Sequence, residues 1–589
     1  MDNLYEAVNG DWLATHVIPD DRAVDGTFHK LRDDAEAAVH ELVQEHPLYR
    51  GFMDVGTLNA LSTGPLGPDL SLLTLPATEA LGKLSRTGVS SPIEAFVAKD
   101  SASEEALVYL VQGGLGLPDE AYYREHPEIL AGYEQHVARM LEFLGKSDLT
   151  PAVIELEKKL AAAHWDVVAA RDAQKTFNPM PFSDLPVNVQ EVLRAAGVPE
   201  HRVINMMPSF FTALDALLES EDWTPWLTWH VLSARAPYLT EEISRANWEF
   251  YGRTLTGATE QRDRWKRAVG LVESMVGEEI GKAYVDKHFP PAHKEEMERL
   301  VGRLLKAYES RISQLEWMTP ETRKRALEKL AKFKAKIGYP NNWRSFDGLE
   351  FGSDLLENVR RAAAFNHDYE LAKIGKPADR DEWVTTPQTV NAFYNPVVND
   401  ITFPAAILQP PFFDPAASDA ANFGAIGAVI GHEIGHGFDD QGSHYDGDGN
   451  LNSWWTEADR TAFTKLTAQL VEQFDGLIPS VLAGKAGIHG VNGEFTLGEN
   501  IGDLGGLGIA VTAFLQSGSQ EELPELFLSW ARIWRTAIRP EMAEQYLAID
   551  PHSPAEFRCN VIAANIDEFY EAFEVGDMAI SAEQRVRIW

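Results

Sequence analysis

Two histidines four residues apart, with a glutamate between them, have the spacing of a metal site. They are His432 and His436 in the stretch "HEIGH", and Glu433 follows the first of them. On a helix, residues four apart lie on the same face, so both imidazoles can bind one tetrahedral ion. Glu433 is turned about 100° away from them and can reach a water molecule bound to that ion. The spacing therefore predicts two zinc ligands and a general base.

A catalytic zinc site needs a third protein ligand and an open fourth position. Glu499 and Asp503 lie four apart in a second helical stretch, residues 495–511. Glu499 would complete a two-histidine, one-glutamate set. Asp503 could accept the other ring N–H of a ligating histidine, which would fix that ring.

Glycines recur along this second stretch and predict that it packs closely against another backbone. They are Gly498, Gly502, Gly505 and Gly506. The alternative is a buried core helix whose histidines only form hydrogen bonds, with both acids facing solvent. The third ligand decides between the two interpretations.

Composition limits the partners and the compartment. The net charge of −37 over 589 residues argues against nucleic acids and anionic membranes, because both are polyanions. The single cysteine, Cys559, excludes an intramolecular disulfide and favours a reducing compartment. The N-terminal residues lack the pattern of a signal peptide, and no apolar run is long enough to span a membrane. We expect a cytoplasmic monomer, or else export without a signal peptide.

The elements that must position these residues are mostly helical. Apolar residues repeat with the helical period in 31–43 and in 294–315. A further helix is predicted to begin at Pro320, capped by Thr319, and to end at Gly338. Residues 389–404 read instead as two short β segments around a turn.

Several motifs together resemble the neprilysin and endothelin-converting-enzyme family of zinc peptidases. They are "HEIGHGFDD" (432–440), "GENIGD" (498–503), "NAFYNPVVNDITFPAAILQPPFF" (391–413), "DPHSPAEFR" (550–558), the opening "LYEAVNGDWLATHVIPDD", "MTPETRKRALEKLAKFKAKIGYP" (318–340) and the terminal "RIW". The resemblance covers nearly the whole chain. Without a membrane anchor or disulfides, the chain is similar to the soluble bacterial members.

The resemblance implies a role for each matching residue. It assigns one zinc ion per chain to His432, His436 and Glu499, the catalytic base to Glu433, and the carboxylate behind the ligands to Asp503. It also assigns substrate-backbone binding to Asn391 and Ala392, oxyanion stabilisation to His552, and a substrate carbonyl to Arg558. The family's other substrate-contacting arginine has no match between residues 50 and 200.

The resemblance also implies the fold and the activity. We expect a mainly α fold with a small amount of β structure, in which a thermolysin-like catalytic lobe and a large helical lobe enclose a central cavity. The predicted parts are an N-terminal arm (1–47) packing on the catalytic lobe, the helical lobe with its crossover segments (48–384), and the catalytic zinc lobe (385–589). The expected activity is a zinc endopeptidase that cuts short to mid-length peptides on the amino side of hydrophobic residues.

Two other functions are weighed against hydrolysis. A non-catalytic peptide-binding protein would need no base, so Glu433 speaks against it. A calcium-binding loop at Asp446–Asn450 has Leu451 where a glycine is expected, and few oxygen ligands follow. A tight turn is the favoured interpretation of that stretch.

Overall fold

A computed structural model describes all 589 residues, and it contains nine short strands in three sheets. The strands are β1 (Val24–Gly26), β2 (Ile93–Lys99), β3 (Ala106–Gln112), β4 (Pro179–Pro181), β5 (Arg202–Asn205), β6 (Lys334–Gly338), β7 (Phe393–Asn395), β8 (Asp400–Pro404) and β9 (Thr536–Ile538). The sheet orders are β1-β9, β2-β3-β5-β4 and β6-β8-β7.

Helices make up most of the chain before residue 385. They are α1 (Leu4–Thr15), α2 (Thr27–Val43), α3 (Pro47–Met53), α4 (Val55–Leu61), α5 (Gly67–Ser71), α6 (Ala77–Arg86), α7 (Tyr122–Glu125), α8 (Pro127–Glu142), α9 (Thr150–Ala163), α10 (Val167–Ala170), α11 (Val187–Ala195), α12 (Pro208–Ser220), α13 (Thr224–Arg235), α14 (Glu241–Trp248), α15 (Arg264–His288), α16 (Pro291–Gln314), α17 (Pro320–Ala331) and α18 (Leu355–Leu371). None of the helices is both long and apolar enough to cross a membrane.

Eight more helices follow residue 385. They are α19 (Asp419–Asn422), α20 (Ala428–His436), α21 (Glu457–Phe474), α22 (Leu497–Leu515), α23 (Leu523–Ile533), α24 (Pro540–Ile549), α25 (Ala555–Ala564) and α26 (Asp567–Ala572). The prediction of a mainly α fold with a small amount of β structure is confirmed.

The helix predicted from Pro320 to Gly338 is only partly correct. It ends at Ala331, and residues 334–338 form strand β6. The reason is a long-range pairing, because β6 runs parallel to β8 with Ile337 opposite Phe403. Thr319 occupies the N-cap position as predicted, but its side chain makes no capping hydrogen bond. Its backbone N–H and its hydroxyl both donate to the carboxylate of Asp459 instead.

The three-stranded sheet carries an open edge. β8 lies in the centre, paired with β6 on one side and antiparallel to β7 on the other. The two predicted β segments of 389–404 are therefore present as β7 and β8. β7 has a partner on one side only, so its outer edge is free to pair with an extended chain.

The predicted boundaries at residues 47 and 385 stay predictions, but the contacts across them are specific. β1 pairs with β9, and Asn9 donates to the carbonyl of Ala531, so the N-terminal arm packs on the C-terminal elements. A contact of α16 also bridges the boundary at 385, because the buried hydroxyl of Tyr308 donates to the carbonyl of Gly431 on α20.

Candidate metal centre and substrate cavity

The three predicted zinc ligands lie together. One ligand atom each from His432, His436 and Glu499 falls within 4.8 Å of the others. The Glu499 Oε2 atom is 3.1 Å from His432 Nε2 and 3.4 Å from His436 Nε2. The two histidines come from the C-terminal half of α20, and the glutamate comes from the first turn of α22.

Each histidine is held by a carboxylate at its other ring nitrogen. His432 Nδ1 lies 2.8 Å from Asp503 Oδ1, and His436 Nδ1 lies 2.8 Å from Asp439 Oδ2. Both Nε2 atoms are thereby left with their lone pairs free for a metal. The role of Asp439 in holding His436 was not predicted. Its position three residues after His436, in "HGFDD", was the signal in the sequence that could have indicated it.

The donor set fits a divalent cation such as zinc. Glu499 Oε2 is buried and accepts no hydrogen bond, although three imidazoles surround it. Burial raises the pKa of the Glu499 carboxyl, but His552 and His436 outweigh that effect and hold the pKa well below its usual range. A charged, unpaired oxygen beside two oriented imidazoles is the environment that a two-histidine, one-carboxylate zinc site requires.

Glycines let the two ligand-bearing helices approach to backbone contact, as predicted. A methyl group at Gly506 would lie 2.5 Å from the carbonyl oxygen of Ala428 and 2.7 Å from the backbone nitrogen of His432. A methyl group at Gly502 would lie 2.9 Å from the His432 ring. Side chains at these positions would therefore separate α20 from α22.

Glu433 lies beside the ligands with its carboxylate uncommitted. The residue is 6% exposed, and no protein group donates a hydrogen bond to its side chain. Burial raises the pKa of the Glu433 carboxyl, while the positive charges of His432 and His436 lower it. A buried carboxylate without a partner is available to accept a proton.

His552 and Arg558 both reach the site from the stretch around the start of α25. His552 Nε2 is 3.2 Å from Glu499 Oε2, and its Nδ1 is 2.7 Å from Asp550. Burial lowers the pKa of His552, but Glu499 and Asp550 together raise it to about 9. Arg558 donates from Nε and Nη2 to the two oxygens of Asp503, at 2.6 and 2.8 Å.

Asn391 and Ala392 precede the open edge of β7. Asn391 is exposed to the cavity, and its Oδ1 accepts a hydrogen bond from the backbone N–H of Ala392 at 2.9 Å. Ala392 itself is buried. The structure therefore places both residues where an extended peptide could lie along β7.

A cavity of about 620 Å³ opens in front of these residues. His552, Arg558 and Asn391 line it together with a group of apolar side chains. The apolar group comprises Leu13, Ile18, Phe28, Trp534, Ala543 and Leu547. Part of the cavity wall is therefore suited to a hydrophobic side chain of a bound peptide.

Arg32 was not predicted as a site residue. It lies on α2, lines both this cavity and an adjoining one of about 900 Å³, and makes no hydrogen bond or ion pair. The family resemblance implies a second substrate-contacting arginine, which has no match between residues 50 and 200. Arg32 lies before that interval, in a helix whose regular charge pattern gave no sign of a binding role.

The stretch Asp446–Asn450, which was weighed as a calcium loop, forms the tight turn that was favoured. Asp446 Oδ1 accepts hydrogen bonds from the backbone N–H groups of Asp448 and Asn450, and Gly449 has a φ of +82°. The Asp448 carboxylate is bound by the ammonium group of Lys332 at 2.7 Å. These oxygens are already used within the turn, so nothing supports a calcium site.

Two curated proteins are similar to the chain over nearly its full length. The neutral endopeptidase of Lactobacillus helveticus is 30% identical, over 100% of this chain and 96% of that protein. Human neprilysin is 29% identical, over 98% of this chain and 88% of that protein.

Among solved structures, the chain resembles the zinc metalloprotease Zmp1 of Mycobacterium tuberculosis. It matches Zmp1 in complex with an inhibitor with a TM-score of 0.97 at 45% identity, covering 100% of this chain and 97% of that one. It matches the open state of Zmp1 with a TM-score of 0.73 at the same identity, covering 100% and 99%. The predicted two-lobed architecture is confirmed by these matches.

Family profiles describe the two halves of the chain in the same terms. Residues 1–340 and residues 391–587 each match a profile of peptidase family M13. The resemblance to neprilysin and endothelin-converting enzyme is thereby confirmed. The chain belongs to peptidase family M13 and is a zinc metalloendopeptidase.

Proposed function

We propose that the enzyme hydrolyses short to mid-length peptides on the amino side of hydrophobic residues, with Glu433 as the general base. The observation that carries this proposal is the uncommitted carboxylate of Glu433 beside three converging ligands, His432, His436 and Glu499. A bound zinc ion would supply Lewis acidity at this point, which acidifies water and polarises a carbonyl group.

Glu433 is proposed to move the proton. It accepts a proton from the attacking water and delivers it to the nitrogen of the leaving amine. Its burial supports the role because a raised pKa increases the proton affinity of the carboxylate, so Glu433 accepts a proton from water more readily. Asp503 and Asp439 keep the two imidazoles oriented throughout.

His552 and Arg558 are proposed to bind oxygens of the substrate. Both line the cavity, and Asp550 holds Nδ1 of His552, so its Nε2 faces the ligands near the position where the oxyanion develops. A single oxyanion donor contributes about 3–4 kcal/mol to the transition state in a comparable hydrolase. Arg558 makes no hydrogen bond from Nη1, so that nitrogen is free for a carbonyl oxygen while Nε and Nη2 hold Asp503.

The peptide is proposed to lie along β7. Its backbone would extend the β6-β8-β7 sheet by one strand, with the Asn391 side chain and the Ala392 backbone contacting it. The apolar wall formed by Phe28 and Trp534 supports a preference for a hydrophobic residue just after the cut bond. The unpaired guanidinium of Arg32 supports binding of a carbonyl or carboxylate farther along the peptide.

Size is proposed to restrict the substrates. Two cavities of about 900 and 740 Å³ are lined by residues of both the helical lobe and the catalytic lobe, and the cavity of about 620 Å³ adjoins the first of them. A folded protein would have to unfold locally before a segment could enter, whereas a short peptide is already extended. Comparable cutting of a stable folded protein and of a free peptide with the same cleavable segment would contradict this proposal.

The base is tested by Glu433→Gln. The amide keeps the shape of the side chain but cannot accept the proton, so hydrolysis should be abolished while about one zinc ion per chain remains. Zinc content by mass spectrometry and cleavage of a peptide library measure the two effects separately. Near-normal turnover by the variant would refute the mechanism. A wild-type protein that binds peptides without cutting them would favour the peptide-binding alternative.

We also propose that the enzyme acts as a monomer in the cytoplasm. Its one cysteine, Cys559, is buried and unpaired, so the fold does not depend on an oxidising compartment. Fractionation of intact cells and light scattering of the purified protein test the two statements. Native protein found mainly outside the cells would contradict the first of them.

A further inference from the structure

An arginine from the helical lobe reaches the ends of both ligand-bearing helices. Arg171 follows α10, more than two hundred residues before the first zinc ligand in sequence. Its Nη1 and Nη2 donate to the two oxygens of Asp440, at 2.7 and 3.0 Å. The pair is largely shielded from solvent, with 21% and 14% of the two side chains exposed.

The same guanidinium also contacts the segment that leads into α22. Its Nη1 donates to the carbonyl of Glu494 at 3.3 Å, and a methyl group at Gly498 would lie 2.6 Å from its Nη2. Asp440 lies four residues after His436, and Gly498 directly precedes Glu499. Arg171 therefore joins the C-terminal end of α20 to the N-terminal end of α22, which carry the ligands between them.

A neighbouring contact strengthens the same junction. The backbone N–H of Ala173 donates to the side chain of Gln441 at 2.8 Å, and Gln441 in turn donates to Asp440 at 2.9 Å. The loop after α10 thus binds two consecutive residues, Asp440 and Gln441, that follow the zinc helix.

The Arg171–Asp440 contact is linked to a metal ligand through the next residue in the chain. Asp439, the residue before Asp440, holds His436 Nδ1 at 2.8 Å. Without Arg171, the adjacent carboxylates of Asp439 and Asp440 would repel each other in a shielded site. Relief of that repulsion would turn Asp439 away from His436 and leave the imidazole without its orienting acceptor.

Two solved states of a similar protein match the fold of this chain to different degrees. The inhibitor complex and the open state of Zmp1 are equally identical to this chain in sequence, but they differ in how closely they match its fold. The structure of this chain matches the inhibitor complex more closely than the open state, and this chain contains the Arg171–Asp440 pair.

From these observations we infer that Arg171 is a positioning residue that completes the metal centre when the helical lobe is closed over it. Its guanidinium neutralises Asp440, leaves Asp439 free to orient His436, and fixes the start of α22 where Glu499 arises. Opening of the lobes withdraws Arg171 and weakens the hold on two of the three ligands. The inference rests on the proposed ligand set of His432, His436 and Glu499.

Zinc release gives a readout that does not depend on turnover. Zinc-loaded protein is mixed with a chromogenic chelator, and the rate of metal transfer is followed. We expect Arg171→Met to release zinc about 10–100-fold faster, as loss of a partner behind a ligand typically does. Asp440→Asn should give a smaller increase, because it removes the repelling charge together with the ion pair. The double variant should release zinc more slowly than Arg171→Met, because it no longer has two adjacent carboxylates without a counter-charge.

Two further variants separate positioning from general stability. Arg171→Lys keeps the charge but not the two-pronged contact, so it should give an intermediate rate. Arg86→Met removes an arginine with the same two-pronged contact to Asp368, away from the metal helices, and should leave the rate unchanged. If Arg171→Met does not fold, Arg171→Lys and Asp440→Asn decide the question.

Small-angle X-ray scattering tests the link to closure. Zinc-loaded Arg171→Met should show a larger radius of gyration than the wild type, whereas Arg86→Met should not. Release rates within about two-fold of the wild type, in a folded Arg171→Met protein, would overturn the inference. So would faster release with scattering identical to that of the wild type. A wild-type protein that binds no zinc would instead overturn the ligand assignment itself.

Discussion

Asp503 binds two partners at once, so its removal should affect both the metal and the fold. Its side chain is 1% exposed. It accepts hydrogen bonds from His432 Nδ1 and from two nitrogens of Arg558. The change Asp503→Ala would leave an imidazole without its acceptor and a guanidinium, 12% exposed, without its counter-charge. Sequence reasoning expected only the first of these effects.

The two effects differ in size. Removing one partner of a buried ion pair costs about 3–5 kcal/mol of folding free energy. We expect a value near 3 kcal/mol, because Arg558 also borders the cavity, where water can reach it. Loss of the carboxylate behind a ligating histidine lowers zinc affinity by about 10–100-fold. That range corresponds to about 1.4–2.7 kcal/mol.

A double-mutant cycle measures the pair. Asp503→Ala, Arg558→Met and the double variant are unfolded with urea as metal-free proteins, and zinc affinity is measured by competition with a chelator. The double variant should be at least about 2 kcal/mol more stable than the sum of the single effects predicts, because it leaves no unpaired charge. Asp368→Ala, which breaks the more exposed pair with Arg86, serves as a control and should cost about 1 kcal/mol or less.

Additive effects of the two single changes, within about 0.5 kcal/mol, would refute this reasoning. So would an Asp503→Ala protein that loses zinc affinity but unfolds at the wild-type urea concentration. Either result would mean that, in the Asp503→Ala protein, Arg558 binds another counter-charge or water with no loss of folding free energy.

Three further predictions concern residues that are not metal ligands. Burial raises the pKa of Glu273 to about 7, so folding favours the protonated form of its carboxyl group. The stability that this form contributes is complete below about pH 4.3, the pKa in the unfolded chain, and is lost as the pH rises through 7. Glu273→Gln should therefore stabilise the protein by about 2 kcal/mol at pH 8, and hardly at all at pH 4, in urea unfolding. Lys329→Met should leave three buried carbonyls between residues 437 and 445 without their donor, and faster amide hydrogen exchange in that loop checks this. Asp69→Ala should destabilise the fold by about 3–5 kcal/mol, because it leaves two buried arginines, Arg235 and Arg360, without their counter-charge. Zinc content should not change, and a melting temperature equal to that of the wild type would contradict the prediction.

The ligand set could be predicted because it depends on local spacing. His432 and His436 share a helix face, and Glu499 and Asp503 repeat that spacing on a second helix. The glycines of α22 also carried a local signal, since backbone contact between helices requires residues without side chains. The structure brings these residues together as expected.

Long-range contacts could not be predicted in the same way. The stretch 334–338 has no local feature that distinguishes the end of a helix from a strand, and its pairing with β8 decides the outcome. Arg171 and Arg32 reach the site from positions far away in the sequence, in segments of ordinary charge pattern. Only the folded chain shows that one of them is paired and the other is not.

The backbone contact between α20 and α22 has a consequence for which ion the site prefers. The distance from the two imidazoles to Glu499 is set by how closely the helices approach, and that approach is set where Gly506 meets Ala428 and His432. The space between the three ligand atoms, which is the aperture offered to an ion, is therefore set by residues that do not contact the ion. An alanine at Gly506 would widen the aperture with all three donors unchanged, shifting preference from a small ion such as zinc towards a larger one.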